Sequence, residues 1–190
     1  PKEYQEVIAA SLLIGWQLGL SKQQLKAAFE RNFSLPKSRS TLLKGIKQTV
    51  MIDSSYNASP SAVLAFLELF KDLRKQLDRP TVFLFGDMRE LGEEAELTHK
   101  EVAKHIPSSM DYVYLVGPLV KEHVLQVLKE SKKIKEVKWF SSSVKAGDYL
   151  KVHVPKDALI LVKGSKNTIY LEESIIPLLA DKRDAEQLCR

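Results

Sequence analysis

The fold of this chain is decided by residues 49–65, which read TVMIDSSYNASPSAVLA. An apolar run ends at Asp53, a short polar segment follows, and Pro60 opens a helix with periodic apolar positions. In an α/β domain, ligands bind where strands deliver polar loops and helix N-termini to the carboxyl edge of the sheet. The polar segment between strand and helix is therefore the first place to look for chemistry.

Length and composition are those of a globular protein. The chain has 190 residues, of which 44% are hydrophobic and 28% are charged, enough for one core of ordinary size and a smaller appended element. No apolar run approaches the roughly 18 residues that a membrane span requires, and the opening residues PKEYQ do not resemble a signal peptide. A cytoplasmic location is the expectation that follows.

The net charge and the cysteine content limit the partners and the covalent cross-links that this protein can have. The net charge of +5 is spread through the predicted helices and is compatible with anionic ligands. Because no basic motif interleaved with aromatic residues is present, nucleic acid is not expected as a partner. The single cysteine, Cys189, cannot form an intrachain disulfide, and we predict an exposed, inert thiol.

Residues 1–39 are predicted to form a separate helical element. Periodic apolar residues predict a helix over 3–18, and Ser21 followed by Gln24 is a capping-box pattern that opens a second helix. A hairpin of this size is too small to fold alone. It either packs on the rest of the chain or ends a domain that is otherwise absent. We place the domain boundary at Arg39, so that residues 40–190 form the main domain.

The main domain alternates between strand and helix patterns. Two strands meet at a turn near 45–47, and further strands are predicted over 81–85, 111–116, 137–140 and 158–162. Helices are predicted over 60–78, 93–106, 119–129, 144–152 and 171–179, followed by a frayed tail from Asp181. Continuous apolar strands separated by helices indicate a mostly parallel sheet covered on both faces. The predicted fold is an α/β three-layer Rossmann-like sandwich, preceded by the short α-helical hairpin.

Polar loops follow three of the predicted strands, at residues 53–59, 86–92 and 163–166. Loops after parallel strands converge at the carboxyl edge of the sheet. Together they offer carboxylates, ammonium and guanidinium groups, hydroxyls and glycine N–H groups, which suit a polyanionic or zwitterionic ligand. The alternative is structural: Asp53 forms an Asx turn, Ser59 caps a helix, and the glycines make tight strand-to-helix turns.

Two further patterns bear on metals and nucleotides. A metal site built from His99 and the carboxylates of residues 93–96 is compatible with the spacing, but a solvated acidic helix start is the preferred interpretation. The other three histidines are predicted to lie on the surface. The chain contains neither a G-x-x-x-x-G-K-[ST] loop nor a G-x-G-x-x-G loop. If the site handles a nucleoside triphosphate, the main phosphate cradle lies elsewhere.

The three polar loops resemble signatures of the Mur ligase family. Residues 52–60, IDSSYNASP, resemble the I-D-D-S-Y-N-A-N-P signature of these enzymes. Residues 86–92, GDMRELG, with Glu96 and His99 downstream, are similar to the family's G-D-M-L-E-L-G segment with its E-x-x-H. Residues 162–166, VKGSK, look like V-K-G-S-R. The motifs occur in the family's order, and they most resemble the branch that adds D-alanyl-D-alanine.

The start of the chain resembles another part of the same family. The hairpin and residues 36–39 are similar to the end of the central ATPase domain and its P-G-R element. The resemblance therefore implies a fragment, with a remnant of the central domain, a complete C-terminal domain, and neither the UDP-sugar domain nor the P-loop. It also implies a monomeric enzyme, of which this fragment alone would be inactive.

The resemblance implies ATP-driven amide ligation. ATP phosphorylates the terminal carboxylate of a UDP-N-acetylmuramoyl tripeptide, and the amine of D-alanyl-D-alanine attacks the acyl phosphate. The C-terminal domain closes over the nucleotide and the amine, which keeps water from the acyl phosphate. ATP and Mg²⁺ would be bound mainly by domains absent from this chain.

Roles for individual residues follow from the same resemblance. Arg39 matches the P-G-R arginine and is expected to act catalytically, as a charge-stabilising donor near the ATP phosphates. The residues expected to contact ATP in the first loop are Asp53, Ser54, Tyr56 and Asn57. The residues expected to bind substrate in the other two loops are Gly86, Asp87, Lys163, Gly164 and Ser165. No metal ligand is assigned to this chain.

The chain also departs from the family's pattern. Ser54 stands in place of a second aspartate, and Lys166 stands in place of an arginine, which replaces a guanidinium fork by a single ammonium group. Two alternatives stay open. One is a non-catalytic Rossmann-like module that binds a phosphorylated or amino-acid ligand, and the other is a Mur-type ligase with another amino-acid acceptor.

Overall fold

The computed structural model describes residues 4–34, 36–130 and 134–189. The helices of these residues are α1 (Gln5–Gln17), α2 (Lys22–Asn32), α3 (Pro60–Gln76), α4 (Ala95–His105), α5 (Pro118–His123), α6 (Leu125–Glu130), α7 (Ser143–His153) and α8 (Lys166–Ile169). The strands are β1 (Thr41–Lys44), β2 (Val50–Ser54), β3 (Thr81–Gly86), β4 (Tyr112–Val116), β5 (Glu136–Phe140) and β6 (Leu159–Lys163). The chain divides into two compact units, one up to residue 36 and the other from residue 37. Arg39 therefore belongs to the second unit.

The first unit is the predicted hairpin of α1 and α2. The capping box is formed as expected: the Gln24 N–H donates to Ser21 Oγ at 3.3 Å, and the Ser21 N–H donates to Gln24 Oε1 at 2.9 Å. Gly19 adopts a φ of 88° just after α1, a left-handed conformation that favours glycine. None of the described residues of either helix is buried, and Trp16 is 65% exposed. The hairpin therefore has no core of its own.

The second unit contains a six-stranded sheet within the described residues, in the order β1-β2-β6-β3-β4-β5. β1 is antiparallel to β2, and every other neighbouring pair is parallel. β6 lies between β2 and β3, so Lys163 pairs with Ser54 on one side and with Phe85 on the other. The predicted α/β fold is confirmed, and the loops after β2, β3 and β6 are neighbours at the carboxyl edge.

Two layers of helices cover the sheet because its central strands are apolar on both faces. Phe83 and Phe85 of β3 pack into a core with α3, α4, α5 and α6. Val82 and Leu84 of the same strand point to the opposite face, against α7 and the C-terminal segment. Successive strand residues alternate between faces, so a strand buried on both sides must be apolar throughout.

The start of α3 has the predicted chemistry. Ser59 is the N-cap, and its Oγ accepts the Ala62 N–H at 3.4 Å, while Pro60 occupies the first helical turn, where its missing N–H costs nothing. The cap fixes the point at which the loop after β2 ends.

The C-terminal segment differs from the prediction. A continuous helix over 171–179 is wrong, because the chain forms short 3₁₀ turns at Leu171–Ser174 and Ile176–Leu178 instead. The predicted fraying of the tail is also wrong. Leu188 is 2% exposed in the core, and the Cys189 N–H donates to Ser38 Oγ at 2.9 Å. One apolar side chain and one hydrogen bond therefore anchor a tail whose charged residues had predicted exposure to solvent. Cys189 is half-buried rather than exposed.

The predicted helix over 119–129 is interrupted. α5 ends at His123 and α6 begins at Leu125, with the fully buried Val124 between them. None of the described helices has both the length and the hydropathy that a membrane span requires.

Candidate active site

The loops after β2, β3 and β6 border a cleft of about 450 Å³, within the range typical of small-molecule sites. The cleft lining consists of Tyr56, Asn57, Arg89, Glu90, Ser165 and Lys166. It combines two cationic side chains with one carboxylate, an amide and two hydroxyls. Such a set suits a small polar ligand that carries an anionic group.

Arg39 and Tyr56 lie together beside this cleft. The Arg39 guanidinium carbon is 4.3 Å from the centre of the Tyr56 ring, and both side chains are exposed. The backbone supports the pair, because the Tyr56 N–H donates to the Ser38 carbonyl at 3.3 Å. Two residues expected to contact ATP are thus adjacent, with a planar cation stacked on an aromatic ring.

Lys163 is buried behind the first loop. Its Nζ donates to the Asn57 carbonyl at 2.6 Å and to Ser54 Oγ at 3.1 Å, and the side chain is 5% exposed. The position follows from the register, since Lys163 pairs with Ser54 across β6 and β2. The ammonium group therefore holds the loop after β2 in shape, and its contact with substrate stays a prediction.

Asp53 is fully buried at the end of β2. Its Oδ1 accepts the Ser55 N–H at 3.0 Å, which is the Asx turn that the structural alternative anticipated. Burial raises the pKa of Asp53, opposed by the Ser38 and Ser55 hydroxyls and by the Lys163 ammonium. Its Oδ2 has no hydrogen-bond partner among the described residues. Asp53 and Ser54 lie behind the cleft lining, and their contact with ATP stays a prediction.

Asp87 connects the loop after β3 to two other elements. It is fully buried, its Oδ1 accepts the Val120 N–H at the start of α5 at 2.8 Å, and its carbonyl accepts the Ser165 N–H at 3.0 Å. Burial raises its pKa, partly offset by the N–H groups of Val120 and Leu119. Asp87 therefore positions Ser165 in the cleft. Together we call Asp53, Ser54, Asp87 and Lys163 the buried support.

Gly86 and Gly164 allow two strand ends to approach each other. A Cβ at Gly164 would lie 3.2 Å from the Gly86 Cα and 2.9 Å from a Leu171 methyl group. Neither contact can be relieved by moving the glycine itself, so a side chain at position 164 requires Leu171 or the β3 end to shift. The packing explains the glycines by this close approach, and the tight-turn interpretation stays a prediction.

His99 is a core residue that supports the loop after β3. It is fully buried, its Nε2 accepts the Met88 N–H at 3.0 Å, and its Nδ1 donates to the Ala95 carbonyl at 2.7 Å. Burial lowers its pKa, so the neutral ring serves as acceptor and donor at once. The preferred interpretation of a solvated acidic helix start agrees with the exposed acidic side chains of residues 93–96. His123, with 12% of its side chain exposed, is not a surface residue.

Three lining residues were absent from the predicted site: Arg89, Glu90 and Lys166. All three belong to the polar loops that the sequence singled out, Arg89 and Glu90 directly after Gly86-Asp87-Met88, and Lys166 after Ser165. The number of residues between the strand end and each loop position could have identified these three residues. Residues at a strand end are drawn into the sheet, whereas those two or three positions further on reach the surface.

The fold and site together define a class. A mostly parallel sheet with helices on both faces and a polar cleft at its carboxyl edge is a Rossmann-like α/β domain. Residues 38–166 match the family described as "Mur ligase, glutamate ligase domain". This match covers most of the chain, and the protein belongs to the Mur ligase family.

Individual relatives agree with this assignment. The chain is 30% identical over 142 residues to the UDP-N-acetylmuramoyl-tripeptide–D-alanyl-D-alanine ligase of Bacillus subtilis, covering 74% of this chain and 30% of that protein. The enzyme of the same name from Haemophilus influenzae is 26% identical over 183 residues, covering 91% and 36%. The chain thus spans about a third of the length of these curated relatives.

Solved structures show the same fold. A crystal structure of MurF from Acinetobacter baumannii superposes with a TM-score of 0.68 at 21% identity, over 88% of this chain and 36% of that one. MurF from Thermotoga maritima, solved in complex with ADP, gives a TM-score of 0.62 at 23% identity, over 88% and 37%.

Proposed function

We propose that this chain is the C-terminal part of an ATP-dependent ligase that adds D-alanyl-D-alanine to a UDP-N-acetylmuramoyl tripeptide. The observation that carries the proposal is the cleft in which the three family motifs meet, lined by two cations and a carboxylate. Relatives matched over most of this chain bear the name of that activity. In this proposal residues 1–39 end a central ATPase domain, and residues 40–190 form the C-terminal domain.

The reaction joins a carboxylate to an amine. ATP supplies the phosphoryl group that activates the carboxylate of the tripeptide. The dipeptide nitrogen then bonds to the acyl carbon, the bond from that carbon to the phosphate oxygen breaks, inorganic phosphate leaves, and the amine proton passes to a base. The cleft contributes by orienting the amine and by excluding water, which would hydrolyse the acyl phosphate.

Arg39 and Tyr56 are the residues of this chain best placed for the nucleotide. The guanidinium is exposed and stacked on the ring, so it can face the negative charge of phosphate groups without leaving its partner. Asn57 adds an exposed amide beside them. The ADP complex of the Thermotoga maritima relative supports a nucleotide-dependent reaction in this family.

Mg²⁺ is proposed as a companion of ATP, held mainly by other parts of the enzyme. In the portions of the chain that the structure describes, no group of three or more His, Cys, Asp or Glu side chains is placed to hold a metal ion. We therefore assign no step in this chain to a metal. A cytoplasmic, monomeric enzyme completes the proposal.

The test is a ligation assay on the full-length product of the reading frame that encodes this chain. With ATP, Mg²⁺ and a UDP-N-acetylmuramoyl tripeptide, we expect phosphate release and a pentapeptide product that depend on D-alanyl-D-alanine. The 190-residue chain alone is expected to be inactive. Ligation of L-alanine, D-glutamate or a diamino acid instead would indicate a Mur-type ligase with another acceptor. Binding of such ligands without any ligation would favour the non-catalytic module.

A further inference from the structure

Two adjacent charged side chains in the cleft form no direct bond with other described side chains, although the Arg89 charge also acts at longer range on the buried Asp87 carboxylate. Among the described residues, neither the Arg89 guanidinium nor the Glu90 carboxylate forms an ion pair or a side-chain hydrogen bond, although both line the cleft. Many other charged side chains are paired, such as Lys100 with Glu96 at 2.6 Å. Arg89 and Glu90 are therefore available to a ligand.

The loop presents these charges in a fixed arrangement. The Arg89 N–H donates to Ser165 Oγ at 3.1 Å, and the preceding Met88 N–H is held by His99. Glu90 adopts a φ of 64°, a left-handed conformation that side-chain-bearing residues seldom occupy. Bonds from two other elements thus fix the backbone just before a strained residue, so the two side chains start from a preorganised loop.

The third charge in the cleft comes from a different strand. Lys166 follows β6, and its N–H donates to the Tyr56 carbonyl at 3.2 Å, which joins the third loop to the first. The planar guanidinium of Arg89 can donate two N–H hydrogen bonds to the two oxygens of a carboxylate, and Lys166 adds a second positive charge. The Glu90 carboxylate can accept hydrogen bonds from an ammonium group and balance its positive charge.

We infer that Arg89 and Glu90 determine the specificity of the cleft for an unblocked zwitterion. Arg89, with Lys166, binds the carboxylate of the amine substrate, and Glu90 binds its ammonium group before the attack. The inference rests on the proposed function for the kind of substrate that enters here, and it adds the residues that recognise the two charged ends.

The experiment is an NMR titration of the ¹⁵N-labelled chain with three probes: D-alanyl-D-alanine, its N-acetyl form and its C-terminal amide. The wild-type chain is expected to prefer the unblocked dipeptide. Arg89→Ala should weaken dipeptide binding about tenfold or more, the worth of one charge-assisted hydrogen bond, and should remove the preference over the amide. Glu90→Gln should remove the preference over the N-acetyl form, and Arg89→Lys should restore part of the affinity.

Matched controls lie on helices away from the cleft. Arg74→Ala on α3 and Glu101→Gln on α4 make the same chemical changes at residues outside the lining, and should leave all three affinities unchanged. Because Arg89 and Glu90 project from a loop, resonances of the sheet should be the same in every variant, which shows that the fold is intact.

The results separate the inference from the proposed function. If Arg89→Ala and Glu90→Gln bind the three probes as the wild type does, or if no probe binds at millimolar concentration, the inference is overturned while ligation can still be observed. If the full-length enzyme instead ligates a different amino acid, the proposed acceptor fails. The same discrimination measured with that amino acid and its blocked forms would then support the inference.

Discussion

The carboxyl edge of the sheet contains two sets of polar residues that differ in burial and in what they bind. The buried support makes its hydrogen bonds within the protein: Lys163 to the first loop, and Asp87 to α5 and Ser165. Most of the cleft lining is exposed or half-exposed, and the charged groups of Arg89 and Glu90 form no ion pair or hydrogen bond with the described residues. The difference shows that family signatures at strand ends include residues that are buried beneath the cleft and residues that line it. Substitutions should therefore affect stability in one set and ligand binding in the other.

The largest effect is expected from Lys163→Met. Removing the buried ammonium leaves the Ser54 and Asn57 oxygens without their donor, so the free energy of unfolding should fall by about 3 kcal/mol. Urea denaturation followed by circular dichroism measures this change. The control is Lys104→Met, at a side chain 65% exposed on α4, which should stay within about 0.5 kcal/mol of wild type. Equal stability of the two variants would contradict a structural role for Lys163.

A smaller loss of stability is expected from Gly164→Ala. The new methyl group would lie 2.9 Å from Leu171 and 3.2 Å from the Gly86 Cα, and overpacking of this kind costs about 1–3 kcal/mol. Gly86→Ala is the graded comparison, because its closest contact is a Leu171 methyl group at 3.3 Å. The melting temperature should fall more for the first variant than for the second. The reverse order would show that the two strand ends are not packed as described.

His99 should make stability depend on pH. Burial lowers its pKa below the ordinary value of 6.5, so the folded protein binds fewer protons than the unfolded chain below that pH. The stabilisation from neutral His99 is complete above 6.5 and is lost as the pH falls. Since Asp53 and Asp87 have raised pKa values and act in the opposite direction on acidification, the measured quantity is the difference between wild type and His99→Gln.

Denaturation curves collected from neutral to mildly acidic pH should show this difference shrinking as the pH falls. A constant difference between wild type and His99→Gln would mean that His99 does not titrate as a buried group.

The smallest effect on stability belongs to the residues beside the cleft. The contact between Arg39 and Tyr56 is exposed, so a double-mutant cycle of Arg39→Ala and Tyr56→Ala should give a coupling of about 0.5–1 kcal/mol. Each single variant should unfold within about 1 kcal/mol of wild type. A much larger coupling would place the pair in the buried support and remove the distinction drawn above.

The sequence was sufficient for the fold class and for the location of the cleft. Strand and helix periods predicted the elements, and the position of loops after strands predicted where the polar residues would converge. The sequence was insufficient for the burial of individual loop residues. Whether Lys163 faces solvent or the Ser54 hydroxyl depends on the pairing of β6 with β2, a contact between residues far apart in the chain. Local patterns do not contain that information.

The C-terminal segment shows a second limit. Residues 171–179 have the apolar content of a helix, yet they form 3₁₀ turns that pack against α7, with Pro177 lacking the N–H that a continuous helix would need there. Leu188 and the Cys189 N–H then hold a tail whose charged residues suggested disorder. In both places tertiary contacts outweigh the local pattern.

The central place of β6 has a consequence for how the protein is made. In the sheet β2 and β3 pair with β6 rather than with each other, and β6 is synthesised after the other five described strands. Ser54 is 109 positions away from its partner Lys163. Contacts over such distances slow folding, and until they form, two apolar strands keep open edges that can join those of other chains. We therefore expect nascent chains that stop before residue 159 to aggregate or to need chaperones, whereas release of β6 should close the sheet in one cooperative step.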